Sequence, residues 1–117
     1  MKNQVNKADG GKIKPRLLIG DMASAIKCIS AVLSYGAEKY EERGWASVNP
    51  SRYEDALLRH YLANKSGEPV DKESGLPHLA HLACNALFLL EMELRDKGLK
   101  GIHSPVQWNS PPQDHKS

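Results

Sequence analysis

The hydrophobic residues of this chain recur every three or four positions in three separate segments, which is the period of an amphipathic helix. A residue type that starts helices precedes each segment, and glycine or proline follows it. No segment alternates polar and apolar residues as a strand does. The pattern predicts three main helices, from the N-cap Asp21 to about Gly44, from the N-cap Ser51 to Gly67 and Pro69, and from Pro77 to about Lys97.

The third predicted helix is apolar around most of its circumference between Leu76 and Leu94. Three helices from a chain of 117 residues cannot cover such a surface alone, so we expect a subunit interface. We predict an all-α bundle of three to four helices, completed by homo-oligomerisation as a dimer or tetramer. Its expected parts are a flexible leader over residues 1–13, a helical domain over 14–100 and a flexible tail over 101–117.

One polar stripe interrupts the apolar surface of the third helix. At about 100° per residue, His78, His81 and Asn85 project within roughly 60° of one another. Because buried polar groups need partners, the stripe indicates either a functional site or a hydrogen-bond network that fixes the helix register. His78 and His81 are spaced to share a metal ion or to act as acid and base.

The second predicted helix carries a stripe with the same spacing. It consists of Arg52, Asp55 and Arg59, with His60 next to it on the apolar side. If the two stripes face each other, they form a polar cleft inside the bundle, where such folds bind metals and ligands. A surface ladder of ion pairs is the alternative explanation.

Carboxylates at two other places are candidate ligands for a divalent cation. Glu38 and Glu41 stand three positions apart at the end of the first helix, and Asp71 and Glu73 precede the third. A solvated helix end explains the first pair equally well, and capping of a helix N-terminus explains the second. Trp45 either packs in the core or stacks on a nucleobase.

Composition and charge exclude several classes of function. The net charge is +2 with no basic face, which argues against nucleic-acid binding. No apolar run reaches the roughly 18 residues of a membrane span, and the first residues lack a secretory hydrophobic region, so we expect a cytoplasmic protein. Cys28 and Cys84 lie in apolar helical patterns without metal spacing, so we expect reduced thiols.

Several blocks together resemble a family of small, largely phage-encoded proteins named for dATP/dGTP diphosphohydrolase. The resemblance covers roughly residues 14–93, and its most specific element is Glu-Ser-Gly-Leu-Pro-His-x-x-His-x-x-x-Asn at 73–85. The blocks are Ser-Tyr-Gly-Ala-Glu-Lys-Tyr at 34–40, Trp45, Arg-Tyr-Glu-Asp-Ala-Leu-Leu-Arg-His at 52–60, and residues 71–85.

This family is similar to the MazG-type all-α nucleoside triphosphate pyrophosphohydrolases, and the similarity implies an activity. It implies helical dimers or tetramers that use Mg²⁺ or Mn²⁺ to hydrolyse dGTP or dATP to the monophosphate and pyrophosphate. For relatives of the MazZ type, it also implies a part in remodelling the nucleotide pool of a phage, hence a place in the host cytoplasm.

Two departures from the MazG pattern affect the ligands that the resemblance implies. His78 and Gly75 stand where the wider pattern has an acidic pair before the Asn, and the carboxylates of Glu38-Lys-Tyr-Glu-Glu42 stand in a different order. If the site is the same, its metal ligands have been rewritten.

The expected roles fall into three groups. The expected metal ligands are Glu38, Glu41, Asp55, Asp71, Glu73 and His78. The expected catalytic residues are His78, His81 and Asp55. The residues expected to bind phosphate or nucleotide are Lys39, Arg52, Arg59, Asn85 and Trp45.

Two alternatives to this activity stay open. One is a non-catalytic nucleotide-binding or scaffold protein whose polar stripes only fix helix register. The other is a phosphohydrolase with a His/Asp metal centre that releases triphosphate or phosphate, although the sequence lacks an adjacent His-Asp pair.

Overall fold

A computed structural model describes residues 10–96 of the chain. Its helices are α1 (Arg16–Ile19), α2 (Ala23–Lys39), a short 3-10 helix (Gly44–Ser47), α3 (Pro50–Lys65) and α4 (His78–Asp96). Within residues 10–96 the only extended pairing is an isolated bridge between Val70 and Pro77. The prediction of an all-α bundle is therefore confirmed. None of the helices in this range has both the length and the apolar content that a membrane span requires.

The entry into α2 differs from the prediction. Met22, not Asp21, occupies the N-cap position, and no side chain caps the helix there. The unpredicted helix α1 precedes it, and backbone bonds of 3.1 Å run from the N–H of Asp21 to the oxygen of Arg16 and from that of Met22 to the oxygen of Leu18. A Cβ on Gly20 would lie 2.8 Å from the Arg16 oxygen, so this tight connection requires glycine.

α2 also ends earlier than predicted. The last helical residue is Lys39, and Tyr40 is already extended. Arg43 then adopts a φ of 65°, in the left-handed region. The chain therefore leaves helical geometry before Glu41, instead of near Gly44.

The N-cap of α3 lies two residues before the predicted Ser51. The N-cap is Asn49, whose Oδ1 accepts the N–H of Ser51 at 2.9 Å. Pro50 follows at the first helical position, where its missing N–H leaves no bond unmade. α3 ends at Lys65, shortly before Gly67, as the sequence predicts. Gly67 has a φ of +97°, which glycine adopts easily after a helix.

α4 is the central helix, because both α2 and α3 pack against it. It begins at His78, one residue after the predicted start, and extends to the last described residue, so its predicted end at Lys97 lies outside the described range. Val32 of α2 meets Ala80 and Cys84 of α4 in a small buried core. Most of the predicted leader and all of the predicted tail also lie outside this range, and the domain limits stay predictions.

Large apolar side chains remain exposed on the outer faces of α3 and α4. Leu62 is 61% exposed, and Leu79 and Leu90 are each 53% exposed. This is the uncovered apolar surface that the sequence predicts for a single chain. Its coverage by a second copy stays a prediction.

Candidate functional site

Three histidines meet where the C-terminal half of α3 packs against the first turns of α4. The Nδ1 atoms of His60 and His78 lie 2.8 Å apart. The ring of His60 stacks on that of His81, with centroids 4.5 Å apart and 9° between the planes. His78 is 5% exposed, and the other two rings are half-buried. The histidine stripe of α4 therefore has its partner on α3, and that partner is His60.

The loop between α3 and α4 brings a carboxylate to these histidines. It folds back on itself, with the N–H of Asp71 donating to the oxygen of Leu76 and the N–H of Gly75 donating to the oxygen of Asp71, both at 2.8 Å. Gly75 has a φ of +75°, which glycine adopts without strain. Asp71 Oδ2 consequently lies 3.9 Å from His81 Nε2. The polar cluster, as named from here on, consists of His60, Asp71, His78 and His81.

Ser74 links the carboxylate of the polar cluster to its third histidine. Its N–H donates to Asp71 Oδ2 at 2.8 Å, and its Oγ lies 2.6 Å from His81 Nε2. The same Oγ accepts the N–H of Leu76 at 3.1 Å, and its hydroxyl lies within hydrogen-bond distance of His81. Burial by itself would raise the pKa of Asp71, but the hydrogen bonds from Ser74 outweigh it and lower this pKa. Asp71 is therefore ionised at neutral pH.

Burial and mutual proximity favour the neutral form of two histidines. Burial is the largest cause that lowers the pKa of His60, followed by the neighbouring imidazoles of His81 and His78. Burial also lowers the pKa of His81, although Asp71 opposes it. A neutral imidazole offers a nitrogen lone pair, which is what a metal ion or a proton requires.

The polar cluster contains a group that is able to hold a cation. One nitrogen of His60, one of His78 and one oxygen of Asp71 lie within 4.8 Å of one another. On the far side of His78, Glu68 Oε2 lies 3.3 Å from Nε2. Because this contact makes Nε2 the donor, the lone pair of His78 lies on Nδ1 and faces His60.

Asn85, the third member of the predicted stripe, forms a hydrogen bond within its own helix. It is 8% exposed, and its Nδ2 donates to the backbone oxygen of His81 at 2.8 Å. The stripe prediction therefore places it correctly in the interior. A contact with a base or sugar stays a prediction.

The stripe of α3 does not face the stripe of α4. Arg52, Asp55 and Arg59 are all exposed, and the side chain that α3 directs at α4 is that of His60, one position beyond Arg59. The prediction that these three residues form the α3 side of a polar cleft is therefore wrong. The roles of these three residues toward phosphate, metal and water stay predictions.

The other predicted acidic ligands are not part of the group that His60, Asp71 and His78 form. Glu38 is in α2, whereas Glu41 lies beyond its end, so the helical spacing that would pair them is absent. Both are exposed. Glu73 forms an ion pair with Lys39, which lowers the pKa of Glu73 and raises that of Lys39.

Trp45 packs at the opposite end of the α3–α4 interface. Its ring stacks on Phe88 with centroids 5.0 Å apart, and the ring of Tyr53 lies 4.7 Å from that of Phe88. The hydroxyl of Tyr53 donates to the backbone oxygen of Trp45 at 2.8 Å. We refer to Trp45, Tyr53 and Phe88 as the aromatic cluster. This packing is one of the two roles considered for Trp45, and nucleobase stacking stays a prediction.

Sequence reasoning missed three contributors to the site. His60 was recognisable as a polar residue on the apolar side of α3, and Ser74 lies inside the most specific sequence block. Glu68 had no such indication, because its position depends on the fold of the loop after Gly67.

Two comparisons with known proteins point to the same family. The family model described as "dATP/dGTP diphosphohydrolase, N-terminal" matches residues 2–101. A protein of Salmonella phage PMBT28 named dATP/dGTP diphosphohydrolase is 34% identical over 61 residues, which are 52% of this chain and 21% of that protein. The match thus spans about a fifth of the relative's length. No solved structure matches the chain. Because the family model covers most of the sequence, the chain belongs to the family described as dATP/dGTP diphosphohydrolase, N-terminal.

Proposed function

We propose that this chain hydrolyses dATP or dGTP to the monophosphate and pyrophosphate with the help of a divalent cation, Mg²⁺ or Mn²⁺. The matched relative is named for a diphosphohydrolase of these two nucleotides. The observation that carries the proposal is the polar cluster, which lies inside the matched residues and joins three imidazoles to a carboxylate. Such a cluster suits reaction chemistry better than packing, since burying it contributes little net stability.

The donors of the polar cluster fit a divalent cation. His60 and His78 offer nitrogens and Asp71 offers an oxygen, all close together. A divalent cation bound there would neutralise charge on phosphate oxygens and lower the pKa of a bound water. Glu73 in the same loop and the exposed Glu38, Glu41 and Asp55 are proposed as oxygen ligands of a cation bound outside the polar cluster.

Ser74 and His81 form a path for the proton of the attacking water. In the proposed reaction the water oxygen attacks the α-phosphorus, the bond from this phosphorus to the α,β-bridging oxygen breaks, and pyrophosphate leaves with the electron pair. The Ser74 hydroxyl takes the water proton and passes its own to Nε2 of His81, 2.6 Å away. His81 is suited to accept it because its lowered pKa keeps it neutral at pH 7.

Cationic side chains of α2 and α3 would hold the triphosphate. Lys39 reaches the loop of Asp71 through its ion pair with Glu73. Arg52 and Arg59 are exposed on α3, where the paired donors of each guanidinium are open to phosphate oxygens. Asn85 and Trp45 are the proposed contacts to the nucleoside.

The proposed enzyme is a homo-oligomer that works in the cytoplasm of a phage-infected cell. The exposed leucines of α3 and α4 supply the interface. The origin of the relative in Salmonella phage PMBT28 supports a role in the nucleotide pool of a phage.

One observation favours a second candidate function. The fold brings Asp71 to His60 and His78, which supplies the His/Asp centre that the sequence lacks as an adjacent pair. A phosphohydrolase built on this centre would release triphosphate or phosphate instead of pyrophosphate.

Product identity tests both candidates. The chain is incubated with dATP, dGTP, dCTP or dTTP and Mg²⁺ or Mn²⁺, and nucleotides and phosphates are resolved by anion-exchange chromatography. We expect monophosphate and pyrophosphate from the purine nucleotides, and His81→Gln should abolish their formation. Triphosphate or phosphate would establish the second candidate. No turnover by the folded chain would contradict both and support a binding or scaffold role.

A further inference from the structure

We propose that His60, Asp71 and His78 hold one divalent transition-metal ion through two imidazole nitrogens and one carboxylate oxygen, with the remaining coordination positions open. The site is the one in the proposed function, and the inference rests on that function for the phosphate and water oxygens that would fill the open positions.

The spacing of the two imidazoles supports a shared ion. Nitrogens bound to one metal at about 2.1 Å lie roughly 3.0–3.4 Å apart. The Nδ1 atoms of His60 and His78 are already 2.8 Å apart. In the metal-free chain one of them donates a hydrogen bond to the other, and since Nε2 of His78 is the donor toward Glu68, the Nδ1 donor is His60. A change of tautomer at His60 then leaves two converging lone pairs.

Residues outside the ligand set hold two of the ligands in position. Glu68 lies 3.3 Å from Nε2 of His78, and a carboxylate behind a histidine is the usual support of a metal-bound imidazole. The N–H of Ser74 fixes the carboxylate of Asp71 at 2.8 Å. His78 is almost fully buried, whereas the side chain of the ligand Asp71 is 23% exposed, so the site has one interior wall and one accessible side.

The third histidine of the polar cluster orients one ligand of the ion but does not itself bind the ion. Nε2 of His81 is engaged by the Ser74 hydroxyl, and its ring lies flat against that of His60. This stacking limits rotation of the His60 ring. His81 therefore orients one ligand and leaves three protein ligands for the metal.

The donor set selects the kind of metal. Mg²⁺ prefers oxygen ligands and keeps most of its waters, whereas two imidazoles and a carboxylate suit borderline ions such as Zn²⁺ and Co²⁺ better than the harder Mn²⁺. We therefore expect affinity to decrease in the order Zn²⁺, Co²⁺, Mn²⁺, Mg²⁺.

Metal binding by the full chain, produced without a histidine tag and stripped with EDTA, tests this site directly. Isothermal titration with ZnCl₂, CoCl₂, MnCl₂ and MgCl₂ should give one ion per chain in the stated order. His60→Gln, Asp71→Asn and His78→Gln should each weaken Zn²⁺ binding by more than about 100-fold, and Glu68→Gln by about 10- to 100-fold. Circular dichroism checks the fold of every variant.

Two matched variants control for non-specific binding. Glu54→Gln removes an exposed carboxylate from α3, and His115→Gln removes an imidazole outside the described residues; both should bind Zn²⁺ as the wild type does. If a ligand variant fails to fold, the visible spectrum of Co²⁺ added to the wild type still tests the site. Co²⁺ bound through imidazoles has absorption bands unlike those of aqueous Co²⁺. An unchanged Co²⁺ spectrum, or full Zn²⁺ affinity in the folded His60→Gln/His78→Gln double variant, would overturn the site.

Failure of this site and failure of the proposed function give different results. One ion per chain, lost in the three variants, without turnover of any nucleotide would leave the metal site standing and contradict the activity. Nucleotide hydrolysis by the wild type, together with full Zn²⁺ affinity in the folded His60→Gln/His78→Gln variant, would overturn the metal site and leave the activity standing.

Discussion

The two ends of the α3–α4 interface are built from opposite chemistries. At one end the aromatic cluster stacks Trp45 and Tyr53 on Phe88, and at the other, about two helical turns away on α3, His60 meets the histidines of α4. Aromatic packing stabilises the helix pair by removing apolar area from water. Imidazoles and a carboxylate must first lose their hydration, and their hydrogen bonds only offset that loss. We therefore expect the first end to contribute mainly to stability and the second mainly to binding.

Removing one imidazole should produce the largest loss of activity. His78→Gln keeps a polar side chain beside Glu68 but takes away the nitrogen that faces His60. We expect nucleotide turnover to fall by about 1,000-fold or more, which corresponds to about 4 kcal/mol, while the melting temperature changes by only a few degrees. Steady-state pyrophosphate release and thermal melts measure the two effects. A large fall in melting temperature with turnover preserved would make the polar cluster a structural network.

The opposite result is expected at the aromatic end. Phe88→Ala should lower the free energy of unfolding by about 3 kcal/mol, near the lower limit for such truncations because the ring is only half-buried. Turnover per folded molecule at saturating nucleotide should stay within a few-fold of wild type, because no atom of the polar cluster is removed and Trp45, the proposed nucleoside contact, is retained. Denaturant unfolding and turnover at low temperature test this.

Tyr53→Phe is the matched control for the aromatic end. It keeps the ring on Phe88 and removes only the hydrogen bond to the backbone of Trp45, so about 1 kcal/mol should be lost. A loss as large as that of Phe88→Ala would mean that the hydrogen bond, and not ring packing, stabilises this end.

The fold was largely predictable from the sequence because the helical period is a local property. The periodic segments locate α2, α3 and α4, but the caps depend on which polar residue reaches a free N–H. Asn49 and Ser51 are both suitable residue types, and only the turn into α3 decides for Asn49. The unpredicted α1 has a single turn, too short for a period to appear.

The candidate site was predictable only in part. It depends on the spacing of residues within α4, which is local, and on how α3 is rotated about its axis against α4, which is not. His78, His81 and Asn85 share one face of α4 through helix geometry alone. Which residue of α3 meets them depends on the rotation of that helix about its axis, where one position corresponds to about 100° and separates Arg59 from His60. The contact of Glu68 with His78 depends on the loop fold, which no periodicity specifies.

A smaller effect is expected for Lys39 of α2, which forms an ion pair with Glu73 in the loop that carries Asp71. Lys39→Gln should raise the KM for the nucleotide about five- to ten-fold, and the effect should shrink as salt is added, because the proposed clamp acts on phosphate charge. The melting temperature should hardly change, since the ion pair with Glu73 is exposed. Lys27→Gln on the same helix is the control and should leave the KM unchanged. Equal effects of both substitutions on the KM would mean that Lys39 acts only through the net charge of the protein and does not contact the phosphates.

The smallest effect concerns the thiol that lies between the two ends on α4. Cys84 is 3% exposed, and burial raises its pKa to about 11. At pH 8 roughly one molecule in a thousand then carries the thiolate, which is the reactive form. In the Cys28→Ser variant, an aromatic disulfide reagent should therefore label Cys84 very slowly at pH 8, and the rate should rise about ten-fold per pH unit until the pH approaches 11. Rapid labelling at pH 8 would show that α4 separates from α2 in solution. The core around Cys84 could not then fix the positions of the aromatic and polar clusters relative to each other.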